Sequence, residues 1–176
     1  PSPWKFLLGD DQWWLEDFPC DLFFFRDRDN PTLENIVVLA EPGPYDGEVV
    51  YAADHIAHFM GGELTFISTV EADNPESREF SDSYLQEIQG LCRVPSQGET
   101  ITTDKWEEEF LEYAEQADLV VTGGLTRDGR HGLNTREKME SILEQVSCSV
   151  GRVQSNLKEP RSVLRDERKD FDLAAF

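Results

Sequence analysis

Asn35-Ile36-Val37-Val38-Leu39-Ala40-Glu41-Pro42-Gly43 decides the fold. Five apolar residues follow a polar one and run into an acid, a proline and a glycine. A run this short, with no polar residue alternating through it, reads as a strand buried on both faces. Working outward, Val49, Val50, Ala53, Ile56, Ala57 and Met60 recur at helical spacing, and Gly61-Gly62 stops that helix. Glu63 to Val70 (ELTFISTV) is β-branched and apolar and reads as a second strand. The polar stretch Glu71 to Glu79 reads as a loop, and Tyr84, Leu85, Ile88 and Leu91 mark a second helix. Glu99 to Thr103 is a weak third strand. Asp104 is expected to cap a third helix carrying Trp106, Phe110, Tyr113, Ala114 and Ala117 on one face. Leu119 to Thr122 is a fourth strand closed by Gly123-Gly124. Asn134 opens a fourth helix, with Glu137 at the capping-box position, and Val150 to Gln154 is a fifth strand.

Strands alternating with helices predict right-handed crossovers. The expected fold class is therefore α/β, a five-stranded, mainly parallel sheet in the order 3-2-1-4-5. Ile36 to Ala40 is central and helices cover both faces. Ligands of such sheets bind beyond the carboxyl ends of the strands, where the strand order reverses.

Composition narrows the function. The 176 residues carry 36 acids against 16 Lys and Arg, a formal net charge of -20 and a pI near 4.3. A field of that sign repels nucleic-acid backbones and anionic lipid heads, so neither is an expected partner. The charge reads either as a solvated acidic surface or as adaptation to a salt-rich cytoplasm, where screening removes self-repulsion; the second reading is preferred. Cys20, Cys92 and Cys148 form no CxxC pair and leave one odd, which points to a reducing, cytoplasmic setting. No apolar run reaches the ~18 residues needed to span a membrane. A chain opening on Pro1 is expected to be a piece of something longer.

Residues 1–28 fall outside the strand–helix count. Trp13-Trp14-Leu15-Glu16-Asp17-Phe18-Pro19-Cys20 matches Ser141-Ile142-Leu143-Glu144-Gln145-Val146-Ser147-Cys148 at Leu, Glu and Cys, and each stretch runs on into a strand, Leu22 to Phe25 and Val150 to Val153. The match is either coincidence or a repeat. As a repeat, residues 1–28 are the closing helix and strand of a preceding copy, 34–154 form the main domain and 155–176 a charged extension. Leu22 to Arg26 is then expected to pair antiparallel with Val150 to Gln154, within one chain or across a dimer.

The order of elements resembles the universal stress protein family. So do Ala117-Asp118-Leu119-Val120-Val121-Thr122-Gly123-Gly124 at the fourth strand, the glycine loop Gly129 to Gly132, and Val146-Ser147-Cys148-Ser149-Val150 before the last strand. The resemblance implies an adenine nucleotide α-hydrolase-like fold, dimer-like pairing through the last strands and, in a subset of members, an ATP or AMP pocket. Here that pocket would take Glu41, Pro42 and Gly43 after the first strand, Val70 after the second, and Gly124, Arg127, Gly129 and Gly132 in the glycine loop. The ATP-binding pattern is Gly, two residues, Gly, nine residues, then Gly and Ser or Thr. Gly129 and Gly132 meet its first half, but its second half falls on the bulky pair Ile142-Leu143. No resident cofactor is expected, with a weakly held adenine nucleotide the one exception the resemblance allows.

Other chemistry is thin. Gly124 to Gly129 has P-loop spacing, but Arg130 and His131 stand where Lys and Ser or Thr are required. Arg127, Arg130 and His131 form a small basic cluster, read as loop solvation ahead of an anion site. His55 and His58 share a helical face without a third metal ligand, so no metal site is expected. The aromatic group Trp4, Trp13, Trp14, Phe18 and Phe23 to Phe25 reads as core or interface filling. No nucleophile–base set can be assembled, so the chain is expected not to be an enzyme. The expected function is a regulatory or interaction domain, cytoplasmic, homo-oligomeric or paired in tandem, and attached to a membrane transporter of the amino-acid permease kind. The alternative is a free-standing ATP- or AMP-binding stress protein.

Overall fold

The computed structural model describes residues 21–30, 32–43, 46–70, 72–102, 104–123, 136–155 and 163, the side chains of 136–140 excepted. Six strands and four helices follow in chain order: β1 (Leu22–Arg26), β2 (Asn35–Leu39), α1 (Asp46–Met60), β3 (Glu63–Val70), α2 (Pro75–Leu91), β4 (Ser96–Thr102), α3 (Trp106–Glu115), β5 (Leu119–Gly123), α4 (Arg136–Gln145) and β6 (Ser149–Gln154). They form one sheet in the order β1-β6-β5-β2-β3-β4. β2 to β6 run parallel and β1 runs antiparallel to β6, so the sheet is mixed.

The uniform apolarity of β2 has the predicted cause. Val37 and Leu39 face one core with Ile67, Val120 and Val150, under Trp106 and Phe110 of α3 and Ile142 and Leu143 of α4. Ile36 and Val38 face the other, with Leu64, Phe66 and Val121, under Val50, Ala53 and Ala57 of α1 and Tyr84, Leu85 and Ile88 of α2. Burial of this kind stabilises by about 1.5–3 kcal/mol per large aliphatic or aromatic side chain. The turn from α1 into β3 requires glycine twice over. Gly61 has a φ of +72°, and a Cβ at Gly62 would strike the carbonyl of Glu34.

The structure corrects several expectations. The sheet has six strands, not five; the five expected strands keep the order 3-2-1-4-5 with β2 central, and an added edge strand changes the order across the whole sheet. The addition is β1, which the repeat in the sequence assigns to another copy. It pairs with β6 within the chain, Leu22 with Gln154 through Arg26 with Val150, because the outer edge of β6 offers an unpaired ladder. The loop expected at 71–79 ends at Asn74, whose side chain accepts from the Ser77 N–H at 3.1 Å and starts α2 at Pro75. Asn-Pro is itself a start signal, and it overrides the polarity of the first turn of α2. β4 begins at Ser96 rather than Glu99, because parallel pairing with Leu64 to Val70 extends it beyond its apolar residues. Asp104 does not cap α3; Lys105 stands at the cap position without a side-chain bond. Asn134 and the helix expected within 13–20 lie outside the described residues. Among the described residues, no helix is long and apolar enough to cross a membrane.

Candidate functional site

β2 leaves the sheet just beyond Leu39, where the Ala40 N–H donates to the Ile67 carbonyl at 2.8 Å. Glu41 and Gly43 follow, and Asp46 opens α1. β2 pairs with β3 on one side and β5 on the other, so the strand order reverses here. α1 seats tightly at that point, because a Cβ at Gly123, the last residue of β5, would meet Val49 Cγ2 at 3.2 Å. This is where the topology places a ligand crevice.

The residues there are acidic and buried. Asp46 is 6% exposed, and Glu48, two residues on, is also buried. Asp46 Oδ1 accepts the N–H of Gly47 at 2.8 Å and that of Val163 at 2.9 Å, and the Gly43 N–H faces the same carboxylate. Burial nevertheless holds the Asp46 carboxyl above its ordinary pKa, with the backbone N–H groups pulling the other way. Burial also raises Glu41. Tyr84 of α2 is fully buried beneath them. Its hydroxyl faces Asp46 without reaching hydrogen-bond geometry. Burial first, then the charges of Asp46 and Glu41, hold its phenol well above the usual value. Glu41 Oε1, Asp46 Oδ2 and Tyr84 Oη are all buried with no hydrogen-bond partner among the described residues.

A helix N-terminus normally suits an anion, through its free amides and dipole. Here α1 supplies its own anions, Asp46 on the amide of Gly47 and Glu48 in the first turn. An incoming phosphate would also meet Glu41. Among the described residues, the start of α1 is therefore already occupied by the chain's own acids.

Of the residues expected to bind a cofactor, the structure brings Glu41, Gly43 and Val70 to the carboxyl ends of β2 and β3. Gly124, Arg127, Gly129 and Gly132 lie outside the described residues. Sequence reasoning missed Asp46, Glu48, Tyr84 and Val163. Two acids directly before a helical repeat were a legible signal of a helix start, whereas Tyr84 was indistinguishable from ordinary core.

A second polar cluster lies elsewhere and is closed on itself. Asp54 of α1 accepts the Arg93 N–H and Nε at 2.7 Å each, and Arg93 Nη2 lies 3.2 Å from His55 Nδ1. His55 and His58 each pack against Phe59. Cys92 beside this pair is pushed up to about 12 by burial and then by Asp54, which removes it as a nucleophile.

The fold and crevice define a doubly wound α/β domain with one antiparallel edge strand. No known family profile matches the chain, and no curated protein does. Among solved structures it is similar to a universal stress protein from Archaeoglobus fulgidus, at 12% identity, covering 69% of this chain and 94% of that one, with a TM-score of 0.50. A universal stress protein from Archaeoglobus fulgidus DSM 4304 is similar at 18% identity over 80% of this chain and 52% of that one, TM-score 0.52, so this chain spans about half its length. A universal stress protein solved in complex with cAMP matches at 16% identity over 70% of this chain and 98% of that one, TM-score 0.52. The fold is that of the universal stress proteins.

Proposed function

We propose that this chain is a non-catalytic regulatory or interaction domain of the universal stress protein type, working as the cytoplasmic part of a membrane transporter. The observation that carries the non-nucleotide part is the set of acids at the crevice and the start of α1, Asp46 and Glu48 buried and Glu41 with one buried carboxyl oxygen. The acidic surface supports a salt-rich cytoplasm, and two free cysteines, Cys92 and Cys148, suit a reducing one. Such a domain acts by differential affinity for the states of its partner.

The test of the site is calorimetric titration with Mg-ATP and with AMP in molar salt. The expected outcome is no dissociation constant at or below about 10 μM. The test of the role is uptake by the transporter with and without this domain. Equal uptake, equal abundance and an unchanged response to adenine nucleotides would remove the regulatory reading. A second reading, a free-standing ATP- or AMP-binding protein, is favoured by one observation: a solved structure of similar fold is a complex with cAMP. Tight binding in the titration selects it.

A further inference from the structure

Glu41, Asp46 and Tyr84 come from three parts of the chain, just beyond β2, the start of α1 and the middle of α2, and meet at the crevice. Each keeps one buried oxygen without a hydrogen-bond partner: Oε1, Oδ2 and Oη. Tyr84 is 0% exposed and Asp46 6%, so neither oxygen is turned to bulk water. Asp54, the other deeply buried acid, is matched by Arg93 through two bonds of 2.7 Å. At the crevice no such match exists: among the described residues no Lys, Arg or His offsets the burial of Glu41 or Asp46. Buried acids normally carry a cationic partner, because desolvating a lone charge is costly.

The pattern of open oxygens narrows what would satisfy them. A chelated metal ion fits poorly: among the described residues, no three His, Cys, Asp or Glu side chains come together as a ligand set. A guanidinium pairs best with both oxygens of one carboxylate. Asp46 cannot offer both, because its Oδ1 already accepts the N–H groups of Gly47 and Val163 at 2.8 and 2.9 Å. A primary ammonium has three N–H donors and no acceptor. Three open acceptor oxygens, two of them on carboxyls, match it in number and in sign of charge. The apolar surroundings suit a short alkyl stem, since Ala40, Val49 and Val163 belong to the same buried cluster as Tyr84. Glu41 is only half-buried, so the cluster reaches the surface on that side.

We propose that Glu41 Oε1, Asp46 Oδ2 and Tyr84 Oη bind the ammonium head of a small primary amine, one N–H to each oxygen, with the alkyl stem against Ala40 and Val163. The proposal deepens the non-nucleotide part of the functional reading and rests on it. It also gives the unmatched oxygens a use: they are the fixed half of a hydrogen-bonded ion pair whose other half is the ligand. The net charge of -20 adds a general attraction for cations, while the three oxygens supply the selection among them.

The experiment is thermal unfolding of the 176-residue chain near pH 8 at constant molar ionic strength, with tetramethylammonium chloride replaced stepwise by n-butylammonium chloride. Both cations carry one charge, but only the second has N–H donors. The expected result is a rise in Tm of about 3 °C or more once about 0.1 M has been replaced. The rise should be lost in Tyr84→Phe and in Glu41→Gln. Tyr84→Phe removes only a hydroxyl that has no partner, so that variant is expected to fold as the parent does. A rise that persists in both variants, or an equal rise with KCl, would overturn the proposal. Nα-acetyl-lysine amide raising Tm where n-butylammonium does not would place the head on a partner's side chain and would overturn the small-amine occupant. Titration with Mg-ATP runs beside these measurements. A flat amine response without nucleotide binding overturns this proposal and leaves the non-nucleotide reading standing. Tight nucleotide binding overturns that reading, and this proposal with it.

Discussion

The two ends of the parallel sheet are built on opposite terms. At the amino end, Asp118 ties three strands together. Its Oδ2 accepts the N–H groups of Glu34 and Asn35 at 3.0 and 2.9 Å, its N–H donates to the Asn35 carbonyl, and its carbonyl accepts from Ser149 and from Asn30 Nδ2. Asp54 and Arg93 are joined in the same way by two bonds of 2.7 Å. At the carboxyl end, Glu41, Asp46 and Tyr84 each keep a buried oxygen without a partner among the described residues. A buried polar atom left unsatisfied costs roughly 1–3 kcal/mol, so the carboxyl end carries that cost at three residues. The amino end holds the strands in register, and the carboxyl end is where the fold gives up stability.

The largest expected effect tests the amino end. Asp54 is fully buried, and Arg93 is a quarter exposed. Asp54→Ala leaves the guanidinium and the Arg93 N–H without their acceptor and should cost about 3 kcal/mol, the low end of the range for breaking a buried pair. Urea unfolding measures it. A cost below about 1 kcal/mol would place the stability of this end elsewhere and break the comparison. Asp118→Ala should cost less, about 2 kcal/mol, because its carboxylate is only partly buried and its backbone bonds survive the change. The same titration measures it, and an unchanged m-value would show that only the clamp was lost. A neutral result would mean that backbone pairing alone fixes the junction of β2 and β5.

The contrast between the two ends was unequally legible. Ile36 to Ala40 identified the central strand because burial on both faces leaves no polar position in the run, and Leu22 to Arg26 could be matched to the last strand through the repeat. Asp118 stood inside a recognised stretch, but nothing in the sequence said that its carboxylate reaches back 83 and 84 residues to Asn35 and Glu34. Long-range bonds of that kind follow from register, which a single sequence does not state. The acidic crevice was missed for a different reason. Asp46 and Glu48 look like ordinary first-turn acids, and the burial of Asp46 comes from Tyr84 of α2 and from Val163, far along the chain. Glu41 was expected at the crevice because it directly follows the strand that was read first.

The smallest effect separates the two ends most directly, because its sign is opposite. Glu41 lies in the crevice with one oxygen buried and without a partner among the described residues, and burial raises its pKa above the ordinary value. A carboxyl raised in the folded state binds its proton more tightly there than in the unfolded chain. Its contribution to stability is therefore fully present below the unfolded pKa and is lost as pH rises through the folded one. Above that folded pKa the native protein bears the cost of an ionised, desolvated carboxylate. Glu41→Gln keeps the shape and a polar atom in place and removes only the charge, so it should stabilise by about 1 kcal/mol at pH 7, the scale of a desolvated carboxylate's ionisation cost. The gain should shrink as the solution is acidified, since the wild-type carboxyl then protonates as well. Thermal unfolding of both proteins from pH 7 down to pH 4 measures the difference. Asp118→Ala should destabilise across that whole range, so the two substitutions bracket the sheet with opposite signs. A Glu41→Gln protein less stable than wild type at pH 7 would mean that the carboxylate has a partner at the crevice, and the contrast between the two ends would fail at the residue that defines it.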